Sequence, residues 1–137
     1  MKNREQYARE VWAIVSRLVL DDDRRQAASE AVGVSFARVR MLRRLADGPL
    51  TQRELAERLS ADAPYVTLMV DDLERTGYVE RGPHPTDGRA KLVSLTREGH
   101  RAAAKAAQLL DEPPAALKEL STADLAGLAR ILDRLGG

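Results

Sequence analysis

Apolar residues recur at helical spacing along most of this chain and alternate in one short stretch. Residues 4–20 place Tyr7, Val11, Ile14, Val15 and Leu18 on one stripe, which predicts an N-terminal helix. Asp21-Asp22-Asp23-Arg24-Arg25 follows and can prolong it. Ser35 stands at the N-cap of a second predicted helix with Phe36, Val39, Leu42 and Leu45 inward, closed by Asp47-Gly48. Pro49-Leu50 reads as a short extended link. Thr51-Gln-Arg-Glu54 is a capping box, with Thr at the N-cap and Glu three residues on, and it opens a short helix with Leu55, Ala56 and Leu59 inward. Asp62 caps the next helix, where Pro64 is tolerated in the first turn. That helix turns Val66, Met69, Val70 and Leu73 inward and runs to Thr76, with Gly77 as its left-handed stop. Tyr78–Arg81 and Lys91–Leu95 read as two strands around a loop of Pro, Asp and Gly. Thr96 then caps an Ala-rich helix to about Leu110, Pro113-Pro114 breaks it, and Ser121-Thr-Ala-Asp124 starts a final helix.

The expected fold is mainly α with a small β-ribbon. Residues 35–96 form a winged helix-turn-helix, and residues 1–34 and 97–137 form a helical part that flanks it. The final helix carries Leu125, Leu128, Ile131, Leu132 and Leu135 on one stripe. Such a helix cannot bury its stripe alone. It pairs either with Tyr7, Val11, Ile14 and Leu18 of a second copy, as a homodimer, or with its own chain.

A helix followed by a basic ribbon is a DNA-binding arrangement. The helix enters the major groove and the ribbon tip touches flanking backbone or minor groove. At 100° per residue the face opposite Val66 holds Pro64, Leu68, Asp71 and Arg75, with Thr67 and Asp72 on its shoulders and Tyr65 towards one side. Leu68 either meets a thymine methyl or is an ordinary surface leucine. Tyr65 and Thr67 offer hydroxyls. Ala63 and Pro64 sit at the helix N-terminus, whose free N–H groups suit a phosphate, and Gln52 and Arg53 can support the same contact. Asp71 and Asp72 oppose phosphate, unless Arg75 or a ribbon arginine neutralises Asp71. The ribbon supplies Arg81, His84, Asp87, Arg89 and Lys91.

Net charge is only +1, but it is unevenly spread. Residues 48–74 carry Arg53 and Arg58 against Glu54, Glu57, Asp62, Asp71, Asp72 and Glu74, a net of −4. Residues 75–105 carry Arg75, Arg81, Arg89, Lys91, Arg97, Arg101 and Lys105 against Glu80, Asp87 and Glu98, a net of +4. Positive charge therefore gathers at and beyond the ribbon, either for phosphate or as a solvated basic face. The chain has no Cys, which excludes disulfides, thiolate chemistry and a Cys-based zinc site. Two histidines, His84 and His100, are too few for a typical His-rich metal site, so no metal or cofactor is expected. No apolar run approaches ~18 residues and the N-terminal segment lacks an apolar signal core, so a cytoplasmic location without a membrane span is expected.

Leu59-Ser-Ala-Asp-Ala-Pro-Tyr-Val-Thr-Leu-Met-Val-Asp-Asp-Leu-Glu-Arg-Thr-Gly-Tyr-Val-Glu-Arg81, then Pro85-Thr-Asp87-Gly-Arg89 and Val93-Ser-Leu-Thr-Arg-Glu-Gly99, resembles the MarR family of bacterial transcription regulators. The specific parts are the Val-Asp-x-Leu-Glu helix end, the Asp-x-Arg wing and the Leu-Thr-x-x-Gly lead-in to the next helix. The resemblance covers nearly the whole chain in element order. It implies an obligate homodimer built by the first and last helices and a pseudo-palindromic duplex DNA operator. It also implies a wing arginine in the minor groove, here Arg89, braced by Asp87. It further implies a repressor released by a small aromatic or phenolic ligand bound between the dimer and DNA-binding parts. Trp12, Phe36 and Met41 are the candidate lining of such a cleft, or simply core. The recognition helix departs from the family by carrying Asp62, Ala63, Leu68 and Asp72 where Ser and basic residues are frequent, so base specificity does not carry over.

Two other functions compete. An enzyme would need a nucleophile motif, a Gly-rich phosphate loop or a metal cluster, and His84 and His100 sit in none of these. A winged-helix module that binds only protein is the other alternative, and the acidic groove face favours it.

Overall fold

The computed structural model describes residues 1–136, as eight helices and a three-stranded sheet. The chain runs α1 (Arg4–Leu20), α2 (Arg24–Val32), α3 (Phe36–Leu45), β1 (Leu50–Thr51), α4 (Gln52–Leu59), α5 (Ala63–Arg75), β2 (Val79–Pro83), β3 (Lys91–Leu95), α6 (Arg97–Asp111), α7 (Ala115–Lys118) and α8 (Thr122–Gly136). The sheet order is β1-β3-β2, antiparallel throughout, so β3 is the central strand. Val93 lies opposite both Leu50 and Arg81. Pro49-Leu50, expected as a short extended link, leads into the edge strand β1, which includes Leu50.

Side-chain caps set the helix starts. Asn3 and Gln6 form a reciprocal box at α1, as Thr51 and Glu54 do at α4. Asp62 accepts from Tyr65 N at 2.8 Å to start α5. Gly77, at φ 84°, turns the chain out of α5 into β2 in the left-handed region that glycine tolerates. Ser35 occupies the N-cap of α3, but its hydroxyl accepts from Arg38 Nη1 at 2.8 Å rather than capping the backbone.

The triple aspartate ends α1 instead of prolonging it. Asp22 accepts from the backbone N–H of Arg24 at 2.8 Å, and the Arg24 side chain folds back onto the same carboxylate. Helix α2, which the apolar pattern did not separate, then starts afresh and buries Ala28 and Val32. Arg24 also donates to the carbonyl oxygens of Leu110 and Glu112, capping the far end of α6.

The core is wider than residues 35–96. Val39, Met41, Leu42 and Leu45 of α3, Leu55 and Leu59 of α4, and Val66, Met69, Val70 and Leu73 of α5 meet Val79, Val93 and Leu95 of the sheet. Ala28 and Val32 of α2 and Ala102, Ala103 and Ala106 of α6 complete it. Small residues there let α2 and α6 pack closely. Helices α1 and α8 bury no residue at all. Their Tyr7, Val11, Ile14, Leu18, Leu125, Leu128, Ile131, Leu132 and Leu135 are all exposed. They do not fold back onto their own chain. No helix among the described residues is long and apolar enough to cross a membrane.

Candidate nucleic-acid interface

Helices α4 and α5 and the β2–β3 hairpin bring most of the expected contact residues to one side. On α5 the inward set is fully buried and the opposite face is open, with Leu68 50% and Tyr65 41% exposed. Ala63 and Pro64 lie exposed at its N-terminus, and Arg53 is exposed in the first turn of α4. The apolar periodicity fixed this orientation because α5 has a single buried stripe.

The loop joining β2 to β3 is organised by two side chains. His84 Nδ1 accepts from the backbone N–H groups of Thr86, at 3.1 Å, and Asp87, at 3.0 Å. Asp87 Oδ1 accepts from the backbone N–H of Arg89 at 3.0 Å, and the Ala90 N–H bonds the Asp87 carbonyl at 3.2 Å. His84 is therefore a turn-former with its Nδ1 turned into the loop. Asp87 braces Arg89 through its backbone N–H. Arg89 and Lys91 are exposed and take part in no ion pair among the described residues.

Four expected contact residues turn out to be tied to the protein itself. Arg81 pairs with Asp71 at 2.6 Å and Glu74 at 3.0 Å. A ribbon arginine, not Arg75, thus neutralises Asp71. Arg75 pairs instead with Asp72, which Arg38 also holds. Gln52 Nε2 donates to Thr67 Oγ1 at 2.9 Å, and Thr67 Oγ1 donates to the Ala63 carbonyl at 3.1 Å. Arg38 lies 34 residues before Asp72 and on another helix, where sequence spacing gives no pairing rule.

Glu54 is held below the usual carboxylate range, first by the backbone N–H of Thr51 and then by the Thr51 hydroxyl. This keeps the capping box charged and fixes the start of α4 beside Arg53.

Within a single chain the three candidate cleft residues lie in different surroundings. Met41 is fully buried in the core. Trp12 is 71% exposed on α1. Phe36 is half-buried beneath the Arg25 guanidinium, 5.5 Å from its ring centre. One surface cleft, of about 420 Å³, is lined by Arg40, Arg43, Arg44, Ala46, Asp47, Ala103 and Ala107. A second, of about 310 Å³, lies along the wing at Arg81, Gly82, Pro83, His84, Gly88, Ala90 and Lys91. Neither includes Trp12, Phe36 or Met41. No group of three or more potential metal ligands occurs among the described residues.

A helix-turn-helix backed by a three-stranded sheet whose last two strands project as a hairpin is a winged helix-turn-helix. Residues 32–90 match the model of the MarR family. An HTH-type transcriptional regulator of Mycobacterium tuberculosis is 39% identical over 67 residues, covering 48% of this chain and 47% of the relative. The match thus spans about half the length of such curated relatives. Among solved structures, the YusO protein of Bacillus subtilis aligns over 98% of both chains with a TM-score of 0.76 and 25% identity. A mutant MarR of Escherichia coli complexed with operator DNA shares the fold, with a TM-score of 0.66, 24% identity, and 98% of this chain and 99% of that one covered.

Proposed function

We propose that this chain is a homodimeric, sequence-specific DNA-binding transcriptional regulator. One observation carries the reading. The exposed face of α5, centred on Leu68, stands beside a wing whose Arg89 and Lys91 side chains form no ion pair among the described residues, while the acidic groups of α5 are paired within the protein. A major-groove helix and a cationic wing tip then address adjacent parts of one duplex. The pairing of Asp71 and Asp72 removes the main ground for a module that binds only protein.

Dimerisation is supported by α1 and α8, whose apolar faces lie open along their lengths. A second copy covers them, and two-fold symmetry then calls for a pseudo-palindromic site. Repression relieved by a small aromatic or phenolic ligand follows from the family resemblance. Its seat would require the second copy, because Trp12, Phe36 and Met41 do not form one within a single chain. A cytoplasmic location accompanies this role.

Selection of duplexes from a random pool tests the reading. The protein is expected to enrich inverted repeats and to bind them with an affinity that falls steeply as salt rises. Failure to enrich any duplex at low salt would overturn it.

A further inference from the structure

Asp71 lies on the side of α5 that faces the groove in the proposed reading, where a free carboxylate would repel phosphate. Arg81 meets it from the wing. Its side chain is only 18% exposed and donates Nη2 to Asp71 at 2.6 Å, Nη1 to Glu74 at 3.0 Å and Nε to Gln52 Oε1 at 3.1 Å. Gln52 passes the connection on, donating Nε2 to Thr67 Oγ1 at 2.9 Å. A continuous polar chain therefore joins β2, the first turn of α4 and the exposed face of α5. A guanidinium is a rigid fork, so three acceptors in different directions fix its plane as well as its position. The backbone of Arg81 is paired with Val93 on the central strand, so the residue that grips α5 also belongs to the hairpin that carries Arg89.

We propose that Arg81 is a positioning residue: it sets the wing against the recognition helix and neutralises that helix's acidic face, and it does not contact DNA itself. This rests on the DNA-binding reading. Arg89 is then the residue that touches the duplex, and Arg81 acts through it.

The test is a double-mutant cycle. Wild type, Arg81→Gln, Arg89→Ala and the double variant are titrated with a duplex enriched by the wild-type protein from a random pool, at several salt concentrations. Thermal unfolding is followed alongside. Arg81→Gln is expected to lose about tenfold in affinity, and much less when Arg89 is already alanine, because residues in one network couple. Its log–log salt slope should stay that of wild type, since no phosphate contact is removed. A slope lower by about one, with losses that add, would make Arg81 a direct phosphate contact and overturn the proposal. Arg81→Lys serves if the Gln variant does not fold. A single ammonium cannot bridge the three acceptors, so it too should lose about tenfold at an unchanged slope. Full affinity in Arg81→Lys would show that charge alone matters and would overturn the positioning role. If the wild type enriches no duplex, the DNA reading fails and takes the proposal with it. Binding by wild type with additive losses sinks the role of Arg81 alone.

Discussion

A Cβ on Gly99 would stand 1.9 Å from the carbonyl oxygen of Tyr78. The reason lies in Thr96, which donates its N–H to that carbonyl at 3.0 Å and its hydroxyl to the Gly77 carbonyl at 2.5 Å. The same hydroxyl accepts from Gly99 N at 3.1 Å to start α6. Thr96 and Gly99 together clamp the first turn of α6 onto the end of the recognition-helix turn. Gly99→Ala must push backbone apart, and overpacking of this kind should cost about 3 kcal/mol. Urea unfolding measures it, and an unchanged midpoint would refute the contact.

The capping box makes stability depend on pH in a defined direction. Glu54 has a folded pKa lowered from 4.5 by the Thr51 backbone and hydroxyl. Its contribution is therefore complete above the unfolded value and is lost as pH falls through the lower, folded value. The gap in urea midpoint between wild type and Glu54→Gln should be constant near neutrality and narrow on acidification below 4.5. A gap that does not change with pH would remove the carboxylate from the box. Thr51→Ala should cost about 1 kcal/mol at neutral pH, as loss of an N-cap does.

Leu68 tests base reading. If it meets a thymine methyl, Leu68→Ala should cost about 1 kcal/mol, and only on operators with T at one position of each half-site. Uracil at that position should produce the same loss in wild type and little more in the variant. Wild-type binding that ignores uracil at every half-site T would leave Leu68 as a surface leucine, with Tyr65 and wing shape as the remaining readers.

Arg89 tests the wing. Its backbone is held by Asp87 and its side chain is open, so Arg89→Ala should leave thermal unfolding unchanged. DNA affinity should fall by at least about tenfold at moderate salt, as loss of a minor-groove or phosphate arginine does. Equal affinity of the two proteins would take Arg89 out of the interface.

The helix-turn-helix and wing were legible because their signals are local. The Thr51–Glu54 box, the Asp62 cap, the single buried stripe of α5 and the Gly77 stop each act within one turn. Helix α2 was not legible because its core contribution is Ala28 and Val32, small residues in a charged stretch that make no strong periodic pattern. Strand β1 is two residues long and exists only through its register with β3. The pairing of Arg81 with Asp71 and of Arg38 with Asp72 depends on how separate elements meet, so spacing could name a ribbon arginine for Asp71 but not decide between it and Arg75. Met41 was readable either as cleft lining or as core, and α3 buries it in the core because it packs against several elements at once. The open faces of α1 and α8 were readable as stripes, and they lie uncovered by their own chain.

Hydroxyl-radical footprinting of the selected duplex tests the central claim most directly. Two related protected regions are expected, with half-site centres about 10 bp apart, arranged symmetrically and flanked by minor-groove protection that Arg89→Ala abolishes. A single isolated half-site, or no protection at low salt, would contradict a dimeric DNA-binding regulator.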